Sequence, residues 1–124
     1  MADTLYDTIG GSRRINSAVE LFYARVFADE SLRPFFEGVD LKGLSARQSM
    51  FVSMLVGGQK VYTGKNLTLA HAGSRTKGMT DVHFDTMLGH FRAALTEIQV
   101  APQRVAEIMT LLESTRDAVL GRSG

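Results

Sequence analysis

Apolar residues recur at three- and four-residue steps along four stretches of this chain of 124 residues, and almost nothing in it alternates with the two-residue period of a strand. Ile15, Val19, Phe22, Tyr23, Val26 and Phe27 form one such stripe and predict the first long helix. Gly10-Gly11-Ser12 precedes it and supplies a break followed by a capping hydroxyl. Asp29-Glu30-Ser31 ends it, and Pro34 limits the next segment to a short turn carrying Phe35 and Phe36 before Gly38. A second helix is expected from about Leu41 to Val56, with Leu44, Gln48, Phe51, Val52 and Leu55 on one face and Gly57-Gly58 as its stop. Thr80-Asp81 opens a third with a capping residue and a first-turn acid, followed by Phe84, Met87, Leu88, Phe91, Leu95 and Ile98. Pro102 suits the first turn of a fourth helix lined by Val105, Ile108, Met109, Leu112 and Val119, with Gly121 as its end. The spacing therefore predicts an all-α fold with four long helices in two antiparallel pairs.

Composition narrows the partners. Fourteen basic side chains against thirteen acidic ones leave a net charge of +1, and no basic stripe interleaves with aromatics, so nucleic acid is not expected as a partner. Hydrophobic residues at 44% and charged residues at 22% are the balance of an ordinary globular protein, and the length suits a single domain over 1–124. The absence of Cys removes disulfides, thiolate zinc sites and iron–sulfur clusters. The start Met1-Ala2-Asp3-Thr4 lacks a signal peptide's pattern, and no apolar run approaches the ~20 residues of a membrane span. A soluble, cytoplasmic chain with no membrane partner is the expectation.

Residues 59–80 break the helical pattern and hold little beyond a brief Leu67–His71 turn; so long an irregular connection in a compact domain usually has a functional reason. His71 follows Tyr62-Thr63-Gly64 and the apolar run Leu67-Thr68-Leu69-Ala70, and a glycine-bounded loop comes after it. In a chain without Cys, such an imidazole is either a buried, hydrogen-bonded histidine or an iron ligand, and taken alone the first is the more ordinary use. A second cluster shifts the balance: Tyr23, Phe35, Phe36, Leu44 and Gln48. Gln48 stands four residues after Leu44, on the same helix face. A buried amide left unpaired costs about 1–3 kcal/mol, so it requires a partner. Tyr23 lies on an apolar face, and its hydroxyl must either find an interior partner or reach the surface. Phe84, Met87 and Phe91 are core by spacing in any reading. His83 suits a surface or capping role and His90 an exposed or interface one; neither has the spacing partner of a zinc site.

The order of Gly10-Gly11, Phe22-Tyr23, Pro34-Phe35-Phe36-Glu37-Gly38, Gly57-Gly58, Tyr62-Thr63-Gly64, Ala70-His71 and His83-Phe84 resembles the truncated haemoglobins, specifically their first group. The resemblance covers nearly the whole chain, from Leu5 to the carboxy-terminal helix. It implies a two-over-two helical sandwich that holds haem b and its iron. By that resemblance His71 is the proximal iron ligand, which agrees with imidazole as the usual axial donor in globins. Tyr23 and Gln48 correspond to distal donors to bound dioxygen, and Leu44 takes the place where many globins put a distal histidine. Phe36 corresponds to the ring that packs on the porphyrin. Phe51, Tyr62, Leu67, Met79, Phe84, Met87 and Phe91 would line the apolar walls. Arg47 would pair with a haem propionate at the rim, with Lys65 and Arg75 as rivals, and for each of these cations a solvated surface charge is the plain alternative. The loop Ala72–Gly78 is a few residues longer than the family pattern, which keeps that rivalry open.

The resemblance implies dioxygen, nitric oxide and carbon monoxide as ligands, in a monomer or weak dimer. Paired donors imply slow dioxygen release, which suits oxidation of nitric oxide to nitrate, with Tyr23 and Gln48 as the catalytic pair and an external reductase restoring the iron. Dioxygen storage or delivery is the alternative. A gas-sensor module is disfavoured, since the chain holds no output domain.

Overall fold

A glycine corner, rather than a hydroxyl cap, starts the first long helix. The computed structural model describes residues 5–57 and 79–120. A short helix α1 (Leu5–Ile9) runs into α2 (Gly11–Ala28) through Gly10, whose φ of +107° is open to glycine and strained for other residues. A Cβ on Gly10 would also stand 2.5 Å from Cγ of Arg14. Ser12, expected to cap, is exposed and no side chain caps the helix. The glycine pair turns the chain unaided, with the Gly10 N–H bonded to the Asp7 carbonyl at 3.2 Å.

The predicted stripe then goes inward: Ile15, Ala18, Val19, Phe22, Tyr23 and Val26 are buried on α2. Asp29 closes the helix by donating its N–H to the Val26 carbonyl at 3.1 Å. A 3-10 turn, Arg33–Phe36, comes next, with Pro34 in its first turn as its missing N–H and fixed φ favour. Helix α3 spans Leu41–Val56 and buries Val52, Leu55 and Val56. Helix α4 spans Asp81–Glu97, α5 Pro102–Glu113 and α6 Arg116–Val119. Helix α2 is the central element, packed against both α3 and α4, while α5 packs on α4. Val19, Val26, Leu32, Ala94 and Ile108 are fully enclosed where these helices meet. Each such aliphatic side chain contributes roughly 1.5–3 kcal/mol, apart from the smaller Ala94.

Two local details differ from the sequence expectation. The last helical stretch is not continuous: α5 ends at Glu113, and the Thr115 hydroxyl donates to the Leu112 carbonyl at 2.7 Å. Such side-chain bonds compete with the helical ladder, and here they turn the chain into α6. His90, expected to be exposed or at an interface, is half-buried and paired within the chain. His83 does cap: its Nδ1 accepts the Thr80 N–H at 3.1 Å, and its ring meets Phe35 edge-on at 4.8 Å between centroids. Among the described residues, no helix is long and apolar enough to cross a membrane.

Candidate functional site

Tyr23 is the centre of the arrangement. It sits on the inner face of α2 with 4% of its surface exposed. Three rings hold it: Phe22 at 4.9 Å, Phe36 at 6.0 Å, both edge-on, and through Phe22 the ring of Phe91 on α4 at 5.5 Å. Phe36 is itself backed by Phe27 at 5.9 Å. Edge-to-face contacts of this kind fix ring orientation as well as contributing burial. The phenol is therefore set from three elements at once: its own helix, the 3-10 turn and α4.

Its hydroxyl is chemically conspicuous, because it bonds to no described residue. Burial pushes its pKa well above the ordinary 10.0, while the nearby Arg47 cation pulls in the opposite direction. Tyr23 is thus a neutral O–H donor throughout the physiological range. Arg47 is exposed on α3. Its guanidinium lies over Gly43, 3.4 Å from where a Cβ would be, and the Asp40 carboxylate stands 2.8 Å from the same point. This places an exposed cation one residue before Gln48 on α3.

Gln48, next along α3, is half-buried and makes no hydrogen bond to a described residue. Phe36, against Tyr23, is one of several apolar side chains that the protein only partly covers, with Leu44 and Phe51 on α3 and Met87 on α4, all packed against the core. Two donors with no partner among the described residues, together with incompletely covered apolar side chains, fit a large flat hydrophobic group with a small polar ligand on it. Haem meets that description.

The remaining sequence candidates divide in two. Met79 and Phe91 are buried, and Phe84 is buried beneath the Arg116 guanidinium, 4.8 Å from its ring centroid. Tyr62, Lys65, Leu67 and His71 lie outside the described residues, as does Arg75. Phe22 and Phe27 carry no site role in the sequence reading, yet they are the rings that brace Tyr23 and Phe36. Their positions next to Tyr23 and four residues beyond it were the available signal.

The family profile of bacterial-like globins matches residues 4–121. A group 1 truncated hemoglobin of Tetrahymena pyriformis is 36% identical over 119 residues, covering 96% of each chain. The chain belongs to the group 1 truncated haemoglobins. A further member from Mycolicibacterium paratuberculosis is 39% identical over 106 residues, 86% of this chain and 76% of that one. Among solved structures, the Fe(III) form of the Tetrahymena pyriformis protein superposes with a TM-score of 0.84 at 36% identity, covering 95% of this chain and 98% of that one. The 2/2 hemoglobin of Synechococcus sp. PCC 7002, in the cyanomet state with covalently attached heme, superposes with a TM-score of 0.89 at 32% identity, covering 97% and 100%.

This truncated haemoglobin accordingly has the two-over-two helical fold and haem iron as its cofactor, and it binds dioxygen and other gases. Phe36, Leu44, Phe51 and Met87 are partly buried apolar side chains packed against the core, and Gln48 is half-buried on α3.

Proposed function

We propose that this truncated haemoglobin uses Tyr23 and Gln48 as paired donors to dioxygen, holds its iron through His71, and serves in oxidation of nitric oxide to nitrate. The haem supplies the iron on which dioxygen and nitric oxide combine, with one electron consumed per nitrate formed and returned by an external reductase. The chain's own residues do the rest. The carrying observation is the Tyr23 phenol, buried, neutral and with no described hydrogen-bond partner.

A neutral phenol can donate one hydrogen bond, and an amide can donate two. Haem iron would supply electron density to a dioxygen held there, and Tyr23 and Gln48 would then gain by donating to it. Leu44 offers no donor, which leaves the polar contact to Tyr23 and Gln48. The Arg47 guanidinium, a fork of donors exposed on α3, suits a propionate. His71 ligation rests on its place in the family pattern and on imidazole chemistry. Slow dioxygen release from two donors favours catalysis over delivery, because a carrier must let go.

Release rates for dioxygen and carbon monoxide test the distal pair, and nitrate yield under a supplied reductant tests the reaction. Each hydrogen bond to the partly anionic ligand contributes about 1.5–3 kcal/mol, so Tyr23→Phe speeds dioxygen release roughly ten- to a hundredfold. Carbon monoxide, less polar, changes far less. Equal changes for both gases would show that Tyr23 acts by shape alone. Stoichiometric nitrate without repeated turnover under a competent reductant would favour storage.

A further inference from the structure

His90 and Asp29 are 61 residues apart in the chain, yet His90 Nε2 stands 2.8 Å from Asp29 Oδ2. Hydrogen bonds from His90 and from Ser31 hold the Asp29 carboxyl down at about 2, so it is ionised and can only accept. His90 Nε2 therefore carries the donated proton. Both side chains are mostly shielded, 21% and 23% exposed, which strengthens the contact over an ordinary surface pair.

Asp29 is the hinge pin of the corner after α2. Its Oδ1 accepts the Ser31 N–H at 2.9 Å and the Ser31 hydroxyl at 2.7 Å. Its main-chain carbonyl accepts the N–H groups of Leu32 at 3.1 Å and Arg33 at 3.0 Å, and the Leu32 carbonyl accepts Phe35 N–H at 3.0 Å. That corner delivers Phe36 to the Tyr23 ring. On the other side, the residue after His90 is Phe91, which meets Phe22, which meets Tyr23. The His90–Asp29 contact thus closes a ring of contacts through both sets of aromatic neighbours that set the phenol. Of the charged groups close to Asp29 in sequence, Arg25 pairs with Glu97 at 3.7 Å, Arg33 Nε donates to the Phe27 carbonyl at 3.0 Å, and Glu30 is exposed.

We propose that His90 is a positioning residue for the distal pocket, acting through Asp29 to fix the spacing of the 3-10 turn and α4 on either side of Tyr23. The inference rests on Tyr23 being the distal donor. Losing the contact frees Phe36 and Phe91 to move independently, and the phenol loses its fixed aim.

The test uses the haem-loaded protein with carbon monoxide bound, since the C–O stretch reports the polar field that the phenol imposes. His90→Phe keeps a ring and removes the donor, His90→Leu removes both, and His90→Gln keeps a donor. We expect His90→Phe and His90→Leu to move the C–O band toward its position in Tyr23→Phe and to speed dioxygen release about two- to thirtyfold, the range for coupled residues that touch no ligand. His90→Gln should bring both readouts back toward the parent protein. Amide exchange at Leu32 and Arg33 should quicken in the two donor-free variants. A lowered melting temperature with unchanged band and release rate in whichever of these folds would overturn the proposal. A silent Tyr23→Phe would instead remove the distal reading itself.

Discussion

The guanidinium of Arg116 lies over the ring of Phe84, 4.8 Å from its centroid, and so joins the end of the chain to the first turns of α4. The same guanidinium bonds Asp81 at 3.0 Å and Glu113 at 2.6 Å, and also reaches Asp85. One side chain therefore sets α4 against the α5–α6 corner. Phe84 is one of the residues the sequence assigns to the haem wall, and α4 also carries Met87 and Phe91. The packing of Phe84 is thus tied to a cation that stands well after it in the sequence, beyond the end of α5.

Arg116→Ala should destabilise the fold by about 1–2 kcal/mol, summing a partly desolvated cation–π contact and exposed ion pairs discounted for solvent. At this chain length that corresponds to a melting temperature lower by roughly 4–8 °C. Arg116→Lys should recover only part, since an ammonium cannot bond three carboxylates in a fixed plane. Thermal melts at low and high salt check this, and the gap should narrow with salt as the ion pairs are screened.

Tyr23 should not ionise in the folded protein as pH passes 10.0, because burial raises its pKa. The sign comes from the raised folded value: stability from the buried neutral phenol is fully present below 10.0 and is lost as pH rises further. The phenolate absorbance of the parent protein minus that of Tyr23→Phe should stay flat through that pH and rise only with alkaline unfolding. A step near the ordinary phenol value would place the hydroxyl in water.

Asp29 behaves oppositely. Its carboxyl is lowered from 3.8 to about 2, so the stability it contributes is fully present above 3.8 and is lost as pH falls through about 2. In acid-unfolding curves, the difference between the parent protein and Asp29→Asn should hold down to about pH 4 and close below it. A difference that closes well above pH 4 would mean that the carboxylate is not held by His90 and Ser31.

His71→Ala should lose haem on desalting, or retain it loosely with an altered ferrous spectrum, since the proposed iron bond is removed. Added imidazole should restore the parent spectrum by entering the space left behind. Full retention with an unchanged spectrum would assign the ligand to another residue.

The placement of the candidate residues on their helices was legible from the sequence because its logic is local. A helical stripe fixes which residues share a face, so Tyr23 on α2 and the pair Leu44 and Gln48 on α3 could be placed before any contact was known. Gly57 and Pro102 bound their helices by backbone chemistry, and Thr80 does so through a capping exchange with His83 only three residues on. The glycine corner misled at Ser12 for the converse reason. A hydroxyl in a favourable place is idle when the preceding glycine already turns the chain.

By itself, the sequence determined the periods, the breaks and the chemical types: four long helices, a phenol and an amide each on an apolar helix face, and a histidine in the family's iron-ligand position. Only the tertiary structure decided which stripe faces which. Helix crossing brings Phe91 to Phe22, His90 to Asp29 and Arg116 to Phe84. Periodicity is a property of one segment, whereas these contacts depend on the angle and offset at which ridges of two segments interlock. The aim of the Tyr23 hydroxyl is set by contacts of that second kind.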